Sequence, residues 1–346
     1  MPSTPYDVII IGAGPGGLAC ARITAGLGLK TLVLERNETI GKKVCAGGIT
    51  WNGLIKRIPE DISERQFCRQ QIFTRFQRTS VSAPTPIIAT VNREKLGQEM
   101  ARKALGAGAE IRLGCRVTAV DGHSVHCGGT HSGTVDRLSC TYLVGADGSS
   151  SLVRRSLGLP VVAAGIGINY QIPGNYPEME WHLDSARFAN GYSWVFPHRD
   201  TASIGAYVDG RRMKAGLLKE NLIQWASSRE YSLKNCKPSA ELINFDFRGW
   251  HFGNTFLIGD AAGFASGLTG EGIYPAIVSG EVVGRRIADP KTDLTPLNRL
   301  IKKNAFHSRM VDITGRNKLL ATFVAEAVTF GLKTKLLDFH SIEMAV

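Results

Sequence analysis

The chain has 346 residues, 43% hydrophobic and 21% charged, with 41 basic against 30 acidic side chains and a net charge of +11. That is enough for a sizeable core in one large domain or two, and the composition is that of an ordinary soluble protein. Its 7 cysteines are odd in number and irregularly spaced, without a CxxC pair; this argues against a metal site or a disulfide framework and for reduced thiols in a cytoplasmic setting. The apolar stretch from Tyr6 to Cys20 lacks the basic flank of a signal peptide. The apolar run 319–332 contains Glu326 and falls short of the roughly 20 residues a membrane span needs. The positive charge favours anionic partners (nucleotides, lipid phosphates or acidic proteins) unless it is only a generally basic surface. No nucleic-acid-binding module accompanies it, so no nucleic acid is expected as a partner.

Along the chain, Tyr6–Ile11 reads as a buried strand, followed by Gly12, Gly14 and Gly17 in a G-x-G-x-x-G pattern. Leu18, Ala21 and Ala25 then repeat at helical spacing, and Gly26 and Gly28 end the helix. Lys30–Leu34 is a second strand, closed by Glu35. Strand, glycine turn, helix, strand and acid together form a dinucleotide cradle. Gly12 makes the tight turn, Gly14 admits the pyrophosphate, Gly17 lets helix and strand pack closely, and Glu35 accepts from the adenosine ribose. Glycine- and Asp-containing segments recur far along the chain, which favours the longer FAD over NAD. No second such fingerprint follows a strand.

Residues 93–108 read as a helix and 111–120 as one strand, with Val117 near an adenine position. In 142–158, strand, glycine turn and helix follow one another. Asp147 falls at the strand's carboxyl end, where ligands sit in open α/β sheets, or else serves as a turn aspartate for local amides. Serines 149–151 can cap the helix after it. From Pro160 to Phe247 aromatic and strand-forming residues alternate with turns, and 192–210 reads as antiparallel strands about a turn near Arg199 and Asp200. The short strand 255–259 leads to Asp260, placed near the strand bearing Gly12, where it would accept from ribityl hydroxyls or organise water near the pyrophosphate. A helix starts near Gly272, with Pro275 tolerable in its first turn. Its N-terminus would favour negative charge on a flavin ring, unless the segment is merely a glycine-rich turn packed on the sheet. These readings give an α/β protein with a Rossmann-like FAD-binding domain, a parallel sheet with helices, in three pieces (1–58, 85–159 and 245–290). A substrate domain built on an antiparallel sheet takes 59–84 and 160–244, and a C-terminal helical segment takes 291–346.

GAGPGG with Glu35, GADG at 145–148 and GDAAGF…LTGEGIYPA at 259–276 resemble FAD-dependent enzymes of the aromatic-hydroxylase superfamily. KVCAGGIT at 43–50 and YSWVFP at 192–197 narrow the resemblance to the geranylgeranyl reductase family, flavoenzymes that saturate isoprenoid double bonds. It covers roughly residues 5–290. The resemblance implies FAD contacts from Gly12, Gly14, Pro15, Gly17, Glu35, Ala46, Gly48, Arg93, Val117, Asp260, Gly272 and Ile273. It also implies that Cys45 lies near the flavin and that Tyr192, Trp194 and Phe196, in the Phe-Pro element ending at Pro197, line an isoprenoid pocket. Where the family often has lysine after Phe-Pro, this chain has His198.

The implied reaction is hydride delivery from reduced flavin to one alkene carbon and a proton to the other. Cys45 is the candidate proton donor or flavin modulator, with His182 and His198 behind it. NADPH or ferredoxin would reduce the flavin. The stripe Leu319, Leu320, Phe323, Val324, Ala327 and Val328 either covers the core or rests on an anionic membrane that supplies a prenylated lipid. The alternatives are an FAD monooxygenase or halogenase, or a non-catalytic flavin- and prenyl-lipid-binding protein.

Overall fold

The computed structural model describes residues 6–41, 46–51, 60–129 and 135–345. The β-branched run Tyr6–Ile11 becomes the central strand of an eight-stranded sheet. Thr31–Leu34 and then Glu110–Arg112 lie parallel on one side of it; Val135–Gly145 and then Thr255–Leu257 lie parallel on the other. Two-residue periodicity divides the strand between two cores. Val8 and Ile10 pack under the helices Pro15–Gly26, Arg93–Gly106 and Ile273–Ala288. Ile9 and Ile11 pack on the opposite face with Leu257, Val282, Leu297 and Leu300. Covering both faces is what allows a continuous apolar strand at the centre.

The helix Ile273–Ala288 crosses Pro15–Gly26 at close range because glycines meet there. A Cβ on Gly280 would run into the Gly16 carbonyl oxygen, and one on Gly284 would come within 3.0 Å of Ile23. This contact brings the start of a late helix next to the glycine turn of the first one.

A seven-stranded sheet runs in the order Pro238–Asn244, Ala164–Pro173, Thr201–Asp209, Tyr192–Pro197, Glu180–His182, Arg69–Phe73, Arg78–Ser82. Only the pair Glu180–His182 with Arg69–Phe73 is parallel. The helix Ala215–Ser228 covers one face through Leu218, Leu222 and Trp225. The other face presents Tyr192, Trp194, Phe196 and Tyr207. A third sheet has three strands, Gly48–Thr50, Ile88–Val91 and Ser63–Phe67, with Ile88–Val91 in the middle.

One local expectation changes. The stretch 111–120 is two strands, Glu110–Arg112 and Cys115–Asp121, because Gly114 turns the chain at φ +62°. The second of these belongs to a hairpin with Ser124–Gly129. Within 60–84, Ser63–Phe67 joins the three-stranded sheet, and Arg69–Phe73 and Arg78–Ser82 the seven-stranded one. Capping follows the expected chemistry: Ser151 Oγ accepts the Arg154 N–H at 2.9 Å and opens the helix Leu152–Ser156. The chain closes with helices Thr295–Thr314 and Lys318–Lys333. Among the described residues no helix is long and apolar enough to cross a membrane.

Candidate active site

A cavity of about 1340 Å³ extends from the glycine turn of the first helix to the aromatic face of the seven-stranded sheet. At its nucleotide end, Gly12 has φ +105°, and a Cβ there would strike the Ala146 carbonyl oxygen. Gly17 sits against the Gly12 carbonyl oxygen in the same way. Gly14 differs: its nearest neighbour is Ala146 O at 4.0 Å, so open space faces it. Gly14, Pro15 and Gly16 line the cavity at the start of a helix that has no side-chain cap. Uncapped amides at a helix start make an anion seat.

Glu35 braces this turn. Its Oε2 accepts the Ala13 N–H at 2.8 Å, and its Oε1 accepts from Asn37 N and Nδ2 at 2.9 and 2.8 Å. A carboxylate oxygen has two lone-pair sites, so Oε2 keeps acceptor capacity on the cavity side. Arg93, the first residue of its helix, lines the cavity with Nε and Nη1 buried and without a hydrogen-bond partner. A buried guanidinium unsatisfied by protein needs an acceptor from elsewhere. An FAD, with its pyrophosphate and carbonyl-rich ring, supplies acceptors of that kind. The open face at Gly14 and the orphaned Arg93 therefore fit that cofactor.

The opposite wall is the segment that follows Thr255–Leu257. Val135–Gly145 lies between this strand and the one leading to Gly12, yet Gly12 and Asp260 line the same cavity, and Asp260 sits in the first turn of a short helix, Gly259–Ala262. The strand ends before the aspartate because Gly259 takes φ +53° and starts a new turn. The two walls converge through Ile273–Ala288, whose Ala276 carbonyl oxygen would be 2.9 Å from a Cβ on Gly16. Asp260 Oδ2 accepts from Ser149 Oγ at 3.4 Å, and its Oδ1 would lie 3.2 Å from a Cβ on Gly272. Gly272 caps this last helix, Ile273 is its first residue, and Pro275 falls in the first turn, as expected.

The loop before that helix is tied down from two sides. Asn304 Nδ2 donates to Gly263 O and Ala265 O at 3.0 and 2.9 Å, and Ser266 Oγ pairs with His307 Nδ1 at 2.7 Å. From the seven-stranded sheet, Tyr207 donates to Gly267 O at 2.8 Å and Tyr192 to Thr269 O at 2.5 Å. Glu271 lines the cavity; its Oε2 accepts the Met344 N–H at 2.9 Å and its Oε1 the Thr50 hydroxyl at 3.3 Å. Burial raises its carboxyl above the usual range. Asn304, His307 and Glu271 had not been assigned roles from the sequence. Asn304 and His307 lie on a helix remote in sequence, and only their burial reveals them.

Asp147 has a mixed position. Its Oδ2 accepts the Leu152 N–H at 2.6 Å, which is the turn-aspartate role, while its Oδ1 is buried without a partner and the residue lines the cavity. Burial raises its carboxyl, against the pull of those amides. Val117, Ala46 and Gly48 also line the cavity. Ala46 O faces His198 Nε2 at 3.0 Å, and His198 Nδ1 meets Glu64 Oε2 at 2.5 Å. His182 is buried, its Nε2 against Glu180 at 2.7 Å, and burial lowers its basicity. Cys45 lies outside the described residues.

At the far end, Tyr192, Trp194 and Phe196 line the cavity together with Trp181 and Tyr207. They also pack on one another, with Trp181 4.8 Å from Phe196 and 5.2 Å from Tyr192. Pro197 does not reach the cavity; its carbonyl accepts the Thr90 hydroxyl at 2.7 Å and joins the two antiparallel sheets. Beyond the aromatic residues, one face of Lys318–Lys333 completes the wall with Ala321, Val324, Ala325, Val328 and Leu332. The apolar stripe read from the sequence therefore splits. Val324 and Val328 turn to the cavity, whereas Leu319 and Phe323 are 80% and 69% exposed.

Residues 5–172 match the FAD binding domain family. With the cradle and Arg93 in place, the chain is an FAD-dependent oxidoreductase. Within that class it is geranylgeranyl reductase-like. It is 27% identical over 308 residues to a digeranylgeranylglycerophospholipid reductase of Methanosarcina mazei, covering 81% of this chain and 74% of that one. The fold matches a geranylgeranyl bacteriochlorophyll reductase-like protein of Thermoplasma acidophilum at TM-score 0.73 and 22% identity, over 98% of this chain and 92% of the other. The flavin-dependent brominase Bmp2 shares the fold at TM-score 0.70 and 19% identity, over 99% and 96%.

Proposed function

We propose that this enzyme saturates carbon–carbon double bonds in an isoprenoid chain of geranylgeranyl type. The observation that carries the reading is the continuity of one cavity, which passes from the glycine turn and Arg93 through the aromatic sheet face to the aliphatic inner face of Lys318–Lys333. Bound FAD, once reduced, supplies the hydride for such a reaction. The protein's own contribution is to bind, orient and exclude water. On this reading Gly12, Gly14, Pro15, Gly17, Glu35, Ala46, Gly48, Arg93, Val117, Asp147, Asp260, Gly272 and Ile273 surround the cofactor. Tyr192, Trp194 and Phe196 flank the alkene, and Pro197 supports them from behind. Each CH₂ of prenyl chain that enters contributes roughly 0.8 kcal/mol, so an apolar tunnel holds a long tail without polar contacts. Cys45 remains the proposed proton donor or flavin modulator.

The relative from Methanosarcina mazei, named for a lipid substrate, supports a prenylated lipid here. An external reductant, NADPH or ferredoxin, would recharge the flavin, and the protein would work in the cytoplasm at the edge of an anionic membrane. The pieces 1–58, 85–159 and 245–290 form the cofactor unit, 59–84 and 160–244 the substrate unit, and 291–346 the closing helical segment.

The test is anaerobic. The purified flavoprotein is reduced with dithionite and mixed with geranylgeranyl compounds. Flavin reoxidation together with mass gains in steps of two hydrogens is expected. Flavin that stays reduced until oxygen is admitted, followed by hydroxylation or halide incorporation, would transfer the protein to the monooxygenases or halogenases.

A further inference from the structure

The helix Lys318–Lys333 has two apolar faces, and only one is used by the cavity. Leu319, Phe323 and Phe330 recur at spacings of four and seven residues, on one line along a helix. They are 80%, 69% and 54% exposed. One acidic residue, Glu326, falls on that same line, and its charge is committed to a neighbouring turn. Its Oε2 accepts from Thr74 Oγ1 at 2.8 Å and Gln77 Nε2 at 2.7 Å, and its Oε1 accepts the Phe76 N–H at 3.0 Å. This turn joins Arg69–Phe73 to Arg78–Ser82 and presents Phe76 at 73% exposure beside the helix. The latch converts a helix face interrupted by a carboxylate into a broader apolar platform.

Basic side chains surround it. Arg75 and Arg78 flank Phe76 on the turn, Arg316 precedes the helix, and Lys333 and Lys335 follow Phe330; all are exposed. Exposed aromatic residues ringed by cations are the composition of an interfacial helix, in which the rings enter the acyl boundary and the cations meet lipid phosphates. The opposite face of this same helix lines the cavity through Val324 and Val328. A lipid surface seated on the platform would thus lie one helix diameter from the tunnel.

We propose that Phe76, Leu319, Phe323 and Phe330, brought together by the Glu326 latch and framed by Arg75, Arg78, Lys333 and Lys335, dock this protein on an anionic lipid surface. This gives the membrane contact of the proposed function a location, and in that respect it rests on that reading. A second copy of the chain is the rival occupant, but the same cluster of cations would then face itself.

The holoprotein is sedimented with vesicles of phosphatidylcholine alone and of phosphatidylcholine with an equal amount of phosphatidylglycerol. Cosedimentation is expected with the anionic vesicles and is weakened by salt. The triple variant Phe76→Ser, Phe323→Ser, Phe330→Ser should lose more than about tenfold in partitioning while keeping the yellow FAD spectrum. Lys333→Glu with Lys335→Glu should abolish the preference for anionic vesicles. Wild type that ignores both vesicles, a triple variant that binds as well as wild type, or a dimer dissolved by the triple variant would each overturn the proposal. Turnover of a short, detergent-free prenyl substrate, measured in parallel, reports on the reductase reading independently of docking.

Discussion

The Tyr207 hydroxyl, fully buried in the antiparallel sheet, donates to the Gly267 carbonyl 2.8 Å away in the loop that leads to Glu271 and Gly272. Burial raises this phenol well above its ordinary value, so it stays a donor at every working pH. Tyr192 repeats the device on Thr269. The aromatic wall of the tunnel and the loop at the cofactor end are therefore one mechanical unit.

Removing those hydroxyls should loosen the loop. Tyr207→Phe leaves a buried carbonyl unpaired and should cost about 1–3 kcal/mol in urea unfolding, whereas Tyr192→Phe, at a less buried partner, should cost about 0.5–1.5 kcal/mol. The double variant should also release FAD more readily, seen as recovered flavin fluorescence on dilution. Unchanged FAD retention in a folded double variant would show that the tethers support the sheet alone.

Arg93 should matter to the cofactor more than to the fold. Among the described residues its Nε and Nη1 have no partner, so Arg93→Met removes no hydrogen bond seen at those atoms. A charge-assisted hydrogen bond contributes about 1.5–3 kcal/mol, so the FAD dissociation constant should rise roughly 10- to 150-fold. Fluorescence titration of apoprotein measures this. The apoprotein's own thermal midpoint should hold steady or rise, since a buried unsatisfied guanidinium is gone.

The glycine cradle could be read in the sequence because each of its parts is local: a β-branched strand, a tight turn and a helix within a few dozen residues. The helix beginning at Gly272, with Pro275 in its first turn, was legible for the same reason. What escaped was long-range. Nothing local says that Val135–Gly145 lies between the strand that leads to Gly12 and the one that leads to Asp260. Gly280 and Gly284 look like ordinary helix interruptions until Gly16 and Ile23 are seen against them. The stripe on Lys318–Lys333 was visible, but periodicity cannot distinguish one apolar face from two.

Arg154 is a second residue of that hidden kind. Its side chain is 1% exposed, pairs with Asp246 at 3.2 Å, and donates to Leu159 O, Pro160 O and Ala261 O, joining the Asp147 turn to the Asp260 helix. Asp246 keeps Arg248 at 3.0 Å and the Val162 N–H at 3.0 Å, so what Arg154→Met strands is the three carbonyls, at a cost of about 1–3 kcal/mol. Chemical denaturation should show a lower midpoint at an unchanged slope, and the variant should bind FAD weakly because the loops at both strand ends move together.

His307 and Glu271 should give the pH dependence of stability two opposed components. Burial pushes the imidazole of His307 down to about 4 from an ordinary value near 6.5. The unfolded chain then takes up its proton first, so stability is undiminished above about pH 6.5 and falls by up to about 3 kcal/mol as pH drops toward 4. Glu271 works the other way. Burial holds its carboxyl above the ordinary value of 4.5, against the pulls of the Met344 N–H, the Thr50 hydroxyl and Lys303. The unfolded chain loses that proton first, so this contribution is full below about pH 4.5 and is lost as pH rises through the raised folded value. Glu271→Gln should therefore match wild type in thermal midpoint at pH 4 and exceed it at pH 7, while His307→Gln should flatten the acid limb between pH 6.5 and 4. A Glu271→Gln variant with the same midpoint deficit at both pH values would mean that the residue acts only through its contacts to Thr50 and Met344, not through its charge.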